Sequence, residues 1–218
     1  MSTLRRVRDQ AVTYTGREAE PDKRLLRREI LAVRNRLTAD DLQEATAALA
    51  RAALGLNELA GAHTVAAYVS VGSEPGTRAL LDSLRARGVR VLLPLLMVDN
   101  DLDWGVYEGE CSLERVRHGG RMALLEPAGE RLGPDAVLGA DAVLLPGLAV
   151  DERGMRLGRG GGSYDRVLQR LERSGATPAL VVLLYDEEVV RRVPEEPHDR
   201  PVDAVVTPSG VRRFRTVS

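Results

Sequence analysis

The segment Arg156-Leu-Gly-Arg-Gly-Gly-Gly-Ser-Tyr-Asp165 is the densest grouping of chemically useful residue types in the chain. Gly158, Gly160, Gly161 and Gly162 carry no Cβ, so backbone N–H groups there can close on an anion. A helix beginning just after the loop would add the partial positive charge of its N-terminus, and Arg156 and Arg159 add full charges. In composition and position the segment is a phosphate cradle. It lacks the Gly-Lys-Ser/Thr ending of a Walker loop and the spacing of a dinucleotide fingerprint, and as a bare glycine cluster it would read equally as a turn.

Other residues could join this chemistry. Lys23 and Arg27 stand four apart, on one face of an expected helix, where they could clamp a triphosphate or a carboxylate tail; a solvated face is the plainer reading. Glu74 falls in a loop after the first expected strand, at the carboxyl end where open α/β sheets place ligands. Asp165 sits in the first turn of the helix after the glycine loop, where the dipole favours a carboxylate in any case, and could also help hold Mg²⁺ beside a bound phosphate. Asp203 opens the last expected strand and could meet it. His63, His118 and His198 form no paired ligand motif, which argues against zinc. Ser163 does not satisfy the G-x-S-x-G elbow. Cys111 stands alone, with nothing near it in sequence to activate it.

These groups need a scaffold that brings them together. The 218 residues suffice for one α/β core, and a composition of 44% hydrophobic and 29% charged residues is that of a globular chain. A net charge of −1 supplies no field to hold nucleic acid. The single cysteine excludes an internal disulfide, no run approaches the ~20 apolar residues of a membrane span, and the first residues lack a secretory signal, so a cytoplasmic location is expected.

Asp22 caps an amphipathic helix through KRLLRREILAVRNRL, and Thr38 starts a second ending near Gly55 or Gly61. Thr64–Ser70 reads as a strand, TRALLDSLRARG as a helix, VRVLLPLL as a buried strand, and VDNDLDWGVYEGE as a loop with at most one short strand, placed to cover a site. A short helix from Pro134, the strand DAVLLPGLAV, the glycine loop with its helix, and the strands PALVVLLY and DAVVTP complete the order. The alternation predicts a mostly parallel sheet covered on both faces, with residues 1–21 a flexible extension and 22–218 one domain.

Taken together, the segment Leu145 to Arg166, Lys23-Arg-Leu-Leu-Arg27, Tyr68-Val-Ser70 with Glu74 and Thr77, Glu126-Pro127 and His198-Asp-x-x-x-Asp203 resemble the 5-formyltetrahydrofolate cyclo-ligase family. That resemblance implies a three-layer α/β/α sandwich similar to sugar-phosphate isomerases and coenzyme A transferases. It implies ATP- and Mg²⁺-dependent closure of 5-formyltetrahydrofolate to 5,10-methenyltetrahydrofolate, by a monomer or homodimer. ATP would be held by Lys23, Arg24, Leu25, Leu26 and Arg27 and by Arg156, Leu157, Gly158, Arg159, Gly160, Gly161, Gly162, Ser163 and Tyr164. The folate would meet Arg27, Val69, Glu74 and the loop from Arg159 to Ser163; Asp165 and Asp203 would hold Mg²⁺. Lys23, Glu74 and Arg159 would carry the catalytic roles. One departure stands out: Ser163 replaces the first tyrosine of the family's Tyr-Tyr-Asp. A sugar-phosphate isomerase or transferase on the same fold, or a non-catalytic nucleotide or folate binder, are the alternatives.

Overall fold

In a computed structural model, the described residues are 22–119, 122–196 and 199–214. The expected extension 1–21 and His198 lie outside them.

Helix α1 spans Lys23–Arg34, capped by the Asp22 carboxylate on the Arg24 N–H. It ends at Asn35, short of the expected Leu37. Helix α2, Ala39–Leu54, opens with a reciprocal Thr38–Asp41 capping box, and the one-turn helix α3, Asn57–Ala60, follows. Strand β1 (Thr64–Ala66), helix α4 (Arg78–Ala86) and strand β2 (Arg90–Leu96) form the first crossover.

Residues 98–110, expected to be a loop over a site with at most one short strand, do supply one strand, β3, Leu102–Val106, antiparallel to β2. Trp104 lies fully buried in the core, and Tyr107 is buried with its hydroxyl donating to Asp82, so neither covers a site. Strands β4 (Leu113–His118) and β5 (Met122–Pro127) make a separate antiparallel hairpin that the sequence pattern did not reveal.

Strands β6 (Ala142–Pro146), β7 (Ala149–Asp151) and β8 (Arg156–Leu157), helix α5 (Ser163–Ser174), and strands β9 (Ala179–Leu183), β10 (Val189–Val190), β11 (Ala204–Thr207) and β12 (Gly210–Arg213) complete the chain. The main sheet runs β12-β11-β9-β6-β1-β2-β3. Its five inner strands are parallel and its two edges antiparallel.

Alternate residues of the inner strands point to opposite faces and find different helices. Val65, Val91, Leu144, Val181 and Val206 pack with Leu49 and Ala53 of α2 and Leu80 and Leu84 of α4. Ala66, Leu92, Leu145, Val182 and Val205 pack with Val167, Leu168 and Leu171 of α5 and with Val137. The three-layer sandwich is thus confirmed. Across the strand ends lies a smaller assembly: α1 buries Leu26 and Ile30 on the β10-β7-β8 sheet against Leu148, Ala149, Met155 and Leu157.

Two aspartates tie the amino ends of neighbouring strands. The Asp141 carboxylate, just before β6, accepts from the His63 and Thr64 N–H groups at 2.7 and 2.9 Å, and Asp203, just before β11, accepts from Leu180 N–H at 2.7 Å. The Thr64 and His63 bonds hold the Asp141 carboxyl below its ordinary pKa. A depressed folded-state pKa contributes stability above the unfolded value near 3.9, lost as pH falls toward the folded value. Asp141→Asn is therefore expected to flatten the acid limb of a plot of denaturation midpoint against pH below about pH 4. An unchanged limb would count against it.

Candidate functional site

Strand β1 leads on to β2 on one side of the sheet, while its other neighbour, β6, leads on to β9, so the strand order reverses between β1 and β6. Open α/β sheets place ligands in the crevice at the carboxyl ends of such a pair. A cleft of about 220 Å³ lies there.

One wall is apolar: Pro94 and Leu96 of β2, Leu102 of β3, and Leu124 and Leu125 of β5, with Val69 and Val71 after β1. The other wall is the glycine loop with Arg156, Arg159, Ser163, Tyr164 and Asp165. A flat ring system suits the first and an anion the second.

The loop takes its shape from both ends. Gly147 follows the end of β6, and a Cβ there would meet Val182 at 2.8 Å, so the close turn requires glycine. Gly162 has φ +78° and caps α5 in the left-handed region. Arg27 reaches across from α1, its Nε donating to Gly158 O at 2.9 Å.

Arg156 is the buried cation of the site, its side chain only 5% exposed. It donates to Pro146 O at 3.0 Å and to the Asp165 carboxylate at 3.0 Å. Burial lowers its pKa against the opposing pull of Asp165. Among the described residues its Nε has no partner, nor has the buried Tyr164 hydroxyl, whose pKa burial raises. Two unpaired buried donors in residues that line the cleft suit an acceptor-rich ligand, since leaving them unpaired costs free energy.

Glu74 closes a turn by accepting from Val71 N–H at 2.8 Å and pairs with Arg159 Nε at 2.9 Å across the cleft. Thr77, buried behind it, joins Tyr68 O and Ser70 N–H and so fixes the loop after β1.

The expected residues divide clearly. Val69, Glu74, Arg156, Gly158, Arg159, Gly160, Gly161, Gly162, Ser163, Tyr164 and Asp165 line the cleft. Leu26 and Leu157 instead pack in the core beneath α1, Leu25 is exposed, and Arg24 is exposed beside Asp22. Lys23 does not line the cleft: its ammonium donates to Glu196 at 2.6 Å and Asp199 at 2.7 Å. Burial works against that charge, but the bonds to Asp199 and Glu196 outweigh it and raise its pKa.

Asp203 does not join Asp165. It sits at the amino ends of β9 and β11, whereas the glycine loop lies at the carboxyl ends of the same sheet. Asp141-Ala-Val and Asp203-Ala-Val share a local pattern and the same strand-tying task, which was the readable signal. In the same tail the Asp199 carboxylate accepts from Lys23 at 2.7 Å, and its charge also reaches Arg156, though Asp165 acts on it directly.

Sequence reasoning also missed the hairpin wall. Buried Glu126 holds it, accepting from Leu96 N–H at 2.9 Å and contacting His118 Nε2 at 2.6 Å. No helix among the described residues is long and apolar enough to cross a membrane.

The profile of the 5-formyltetrahydrofolate cyclo-ligase family matches residues 19–208. The chain is 43% identical over 150 residues to the 5-formyltetrahydrofolate cyclo-ligase of Mycolicibacterium smegmatis, covering 66% of this chain and 73% of that one. It is 33% identical over 180 residues to that of Escherichia coli, covering 82% and 96%. The solved structure of Aquifex aeolicus 5,10-methenyltetrahydrofolate synthetase superposes with a TM-score of 0.73 at 27% identity, over 90% of this chain and 94% of the other. By its fold, its cleft and these matches, the chain belongs to the 5-formyltetrahydrofolate cyclo-ligase family.

Proposed function

We infer that this protein uses ATP to close 5-formyltetrahydrofolate into 5,10-methenyltetrahydrofolate, releasing ADP and phosphate. The observation that carries this reading is the cleft itself, where an apolar slot faces a glycine and arginine loop. The slot takes the flat pterin and the loop takes the polyphosphate.

The reaction needs no protein nucleophile. The formyl oxygen on N5 attacks the γ-phosphorus and displaces ADP; N10 then attacks the activated formyl carbon, and phosphate leaves with the former formyl oxygen. Catalysis of this kind rests on alignment and on neutralising charge. Arg156 and Arg159, the loop amides and the α5 N-terminus meet the phosphates, and Arg27 holds the loop from α1. Glu74 orients N10 and accepts its proton. Lys23 reaches the phosphates by exchanging its bonds to Glu196 and Asp199.

Magnesium fits the donor set. It needs one or two carboxylates beside phosphate oxygens; Asp165 lines the cleft at the start of α5, and Asp199, bonded to Lys23 from α1, would be the second. Held there, the ion would supply further charge neutralisation on the phosphates.

A coupled assay tests the reading: methenyltetrahydrofolate absorbance and ADP release, with and without ATP and Mg²⁺. ADP release that depends on 5-formyltetrahydrofolate is expected. Its absence would return the sugar-phosphate and non-catalytic alternatives.

Ser163 opens α5 on the cleft wall with a side chain far smaller than the tyrosine it replaces. Trp104 does not line the cleft and Tyr107 is tied to Asp82, so neither already occupies it. Ser163→Tyr is expected to add roughly 0.5 to 1.5 kcal/mol of aromatic contact, a two- to tenfold lower KM for 5-formyltetrahydrofolate with that for ATP unchanged. A raised folate KM in steady-state kinetics would contradict this.

A further inference from the structure

Arg34, at the last turn of α1, is 1% exposed. It stands seven residues beyond Arg27 and eleven beyond Lys23, so all three project from one side of the helix. Its guanidinium makes a fork to Glu188, Nε to Oε1 at 2.5 Å and a terminal nitrogen to Oε2 at 2.8 Å. The same terminal nitrogen donates to Gly147 O at 2.8 Å, and the guanidinium lies 5.6 Å from the centre of the Tyr185 ring. The other terminal nitrogen is buried without a partner among the described residues. Burying a cation this completely is costly, and an apolar side chain could have served packing alone.

The bonds lead to both sides of the cleft. Gly147 is the turn from β6 toward the glycine loop and lines the cleft. Glu188 also accepts from Tyr185 N–H at 3.0 Å, and the Tyr185 hydroxyl donates to Ser73 O at 3.2 Å, beside Glu74. Glu74 is among the charges that act on Arg34.

We propose that Arg34 is a positioning residue for the ligase reaction, holding the Ser73–Glu74 turn in register with the phosphate loop through Glu188, Tyr185 and Gly147. The proposal rests on the cyclo-ligase reading of the cleft. The phosphate loop keeps separate ties through Arg27 to Gly158 and Arg156 to Pro146, whereas the turn carrying Glu74, besides its pair with Arg159, is tied to the segment after β9 through the Tyr185 hydroxyl. Loss of the network therefore falls on the folate side and on alignment, and spares nucleotide binding.

Three variants test this in the full-length protein. Arg34→Lys keeps the charge and loses the fork; R34M/E188Q removes both charges together, leaving neither buried alone; Tyr185→Phe deletes only the hydroxyl. In the two Arg34 variants kcat is expected to fall about tenfold and KM for 5-formyltetrahydrofolate to rise about fivefold, with KM for ATP within about twofold; Tyr185→Phe should show the same split at about threefold. Equilibrium binding of 5-formyltetrahydrofolate without ATP gives a readout independent of turnover and should weaken by the same factor as KM. Folded variants with unchanged kcat and folate affinity, or with a lowered melting temperature as their sole change, would overturn the proposal. If the Arg34 variants do not fold, an unchanged Tyr185→Phe overturns it alone. Wild-type protein that binds folate but releases no ADP would refute the ligase reading, while the binding measurements would still decide the role of Arg34.

Discussion

Replacing Arg156 by alanine is expected to lower kcat/KM for ATP by about 30- to 150-fold, the effect of losing roughly 2 to 3 kcal/mol of charge-assisted bonding in the transition state. The size follows from burial. A nearly enclosed guanidinium with one unpaired N–H has little water to compete with a phosphate, and its other nitrogens are already aimed by Pro146 and Asp165. Arg156→Lys should recover little, because an ammonium cannot bond Pro146, Asp165 and a phosphate in the same plane. Lys23→Ala should cost less, since its ammonium is shared with Glu196 and Asp199 before any nucleotide arrives. Steady-state kinetics with ATP varied, alongside a thermal melt, checks both. Native melting with kcat/KM for ATP reduced less than threefold in Arg156→Ala would remove Arg156 from the site.

Asp151→Ala is expected to be the most damaging change to stability outside the apolar core. Asp151 is wholly buried, and its carboxylate accepts from the N–H groups of Arg153, Met155 and Val193 and from the Arg153 guanidinium. These bonds close the β7–β8 turn and fasten it to the segment after β10. Alanine would leave buried backbone donors unpaired at about 1 to 3 kcal/mol each, and a total loss of about 3 to 5 kcal/mol is anticipated. For a chain of this size that is a fall in melting temperature of roughly 10 °C. Asp151→Asn retains a carbonyl acceptor and should lose less. A destabilisation below about 1 kcal/mol in urea titrations would show that water or backbone shifts satisfy those donors. Because β8 delivers Arg156 to the cleft, loss of ATP use should accompany partial unfolding.

The order of most elements and the nature of the phosphate wall are legible in local patterns. Period-two and period-3.6 patterns located the inner strands and the long helices, because each buries one face against a core. The run from Arg156 to Asp165 is contiguous, so a local pattern sufficed to place its glycines, arginines and Tyr164 in one site. The β4–β5 hairpin escaped because Arg115, Arg117, Glu114 and Glu126 interrupt its apolar alternation, yet Leu124 and Leu125 form part of the second wall.

Which distant residues meet is set by the folded topology. Asp199 and Asp203 are four apart in an irregular connection, and nothing local says that Asp199 meets Lys23 of α1 while strand direction sends Asp203 to the amino end of the sheet. Trp104 and Tyr107 read as polar-loop aromatics until pairing of β3 with β2 turned them into the core. Arg34 looks like one more arginine on a basic helix, and its burial follows from Glu188, 154 positions away, arriving beneath it through β9. Short-range patterns report the face an element buries. Partners across the chain are chosen by topology, which the parallel crossovers set through many weak contacts that no single segment contains.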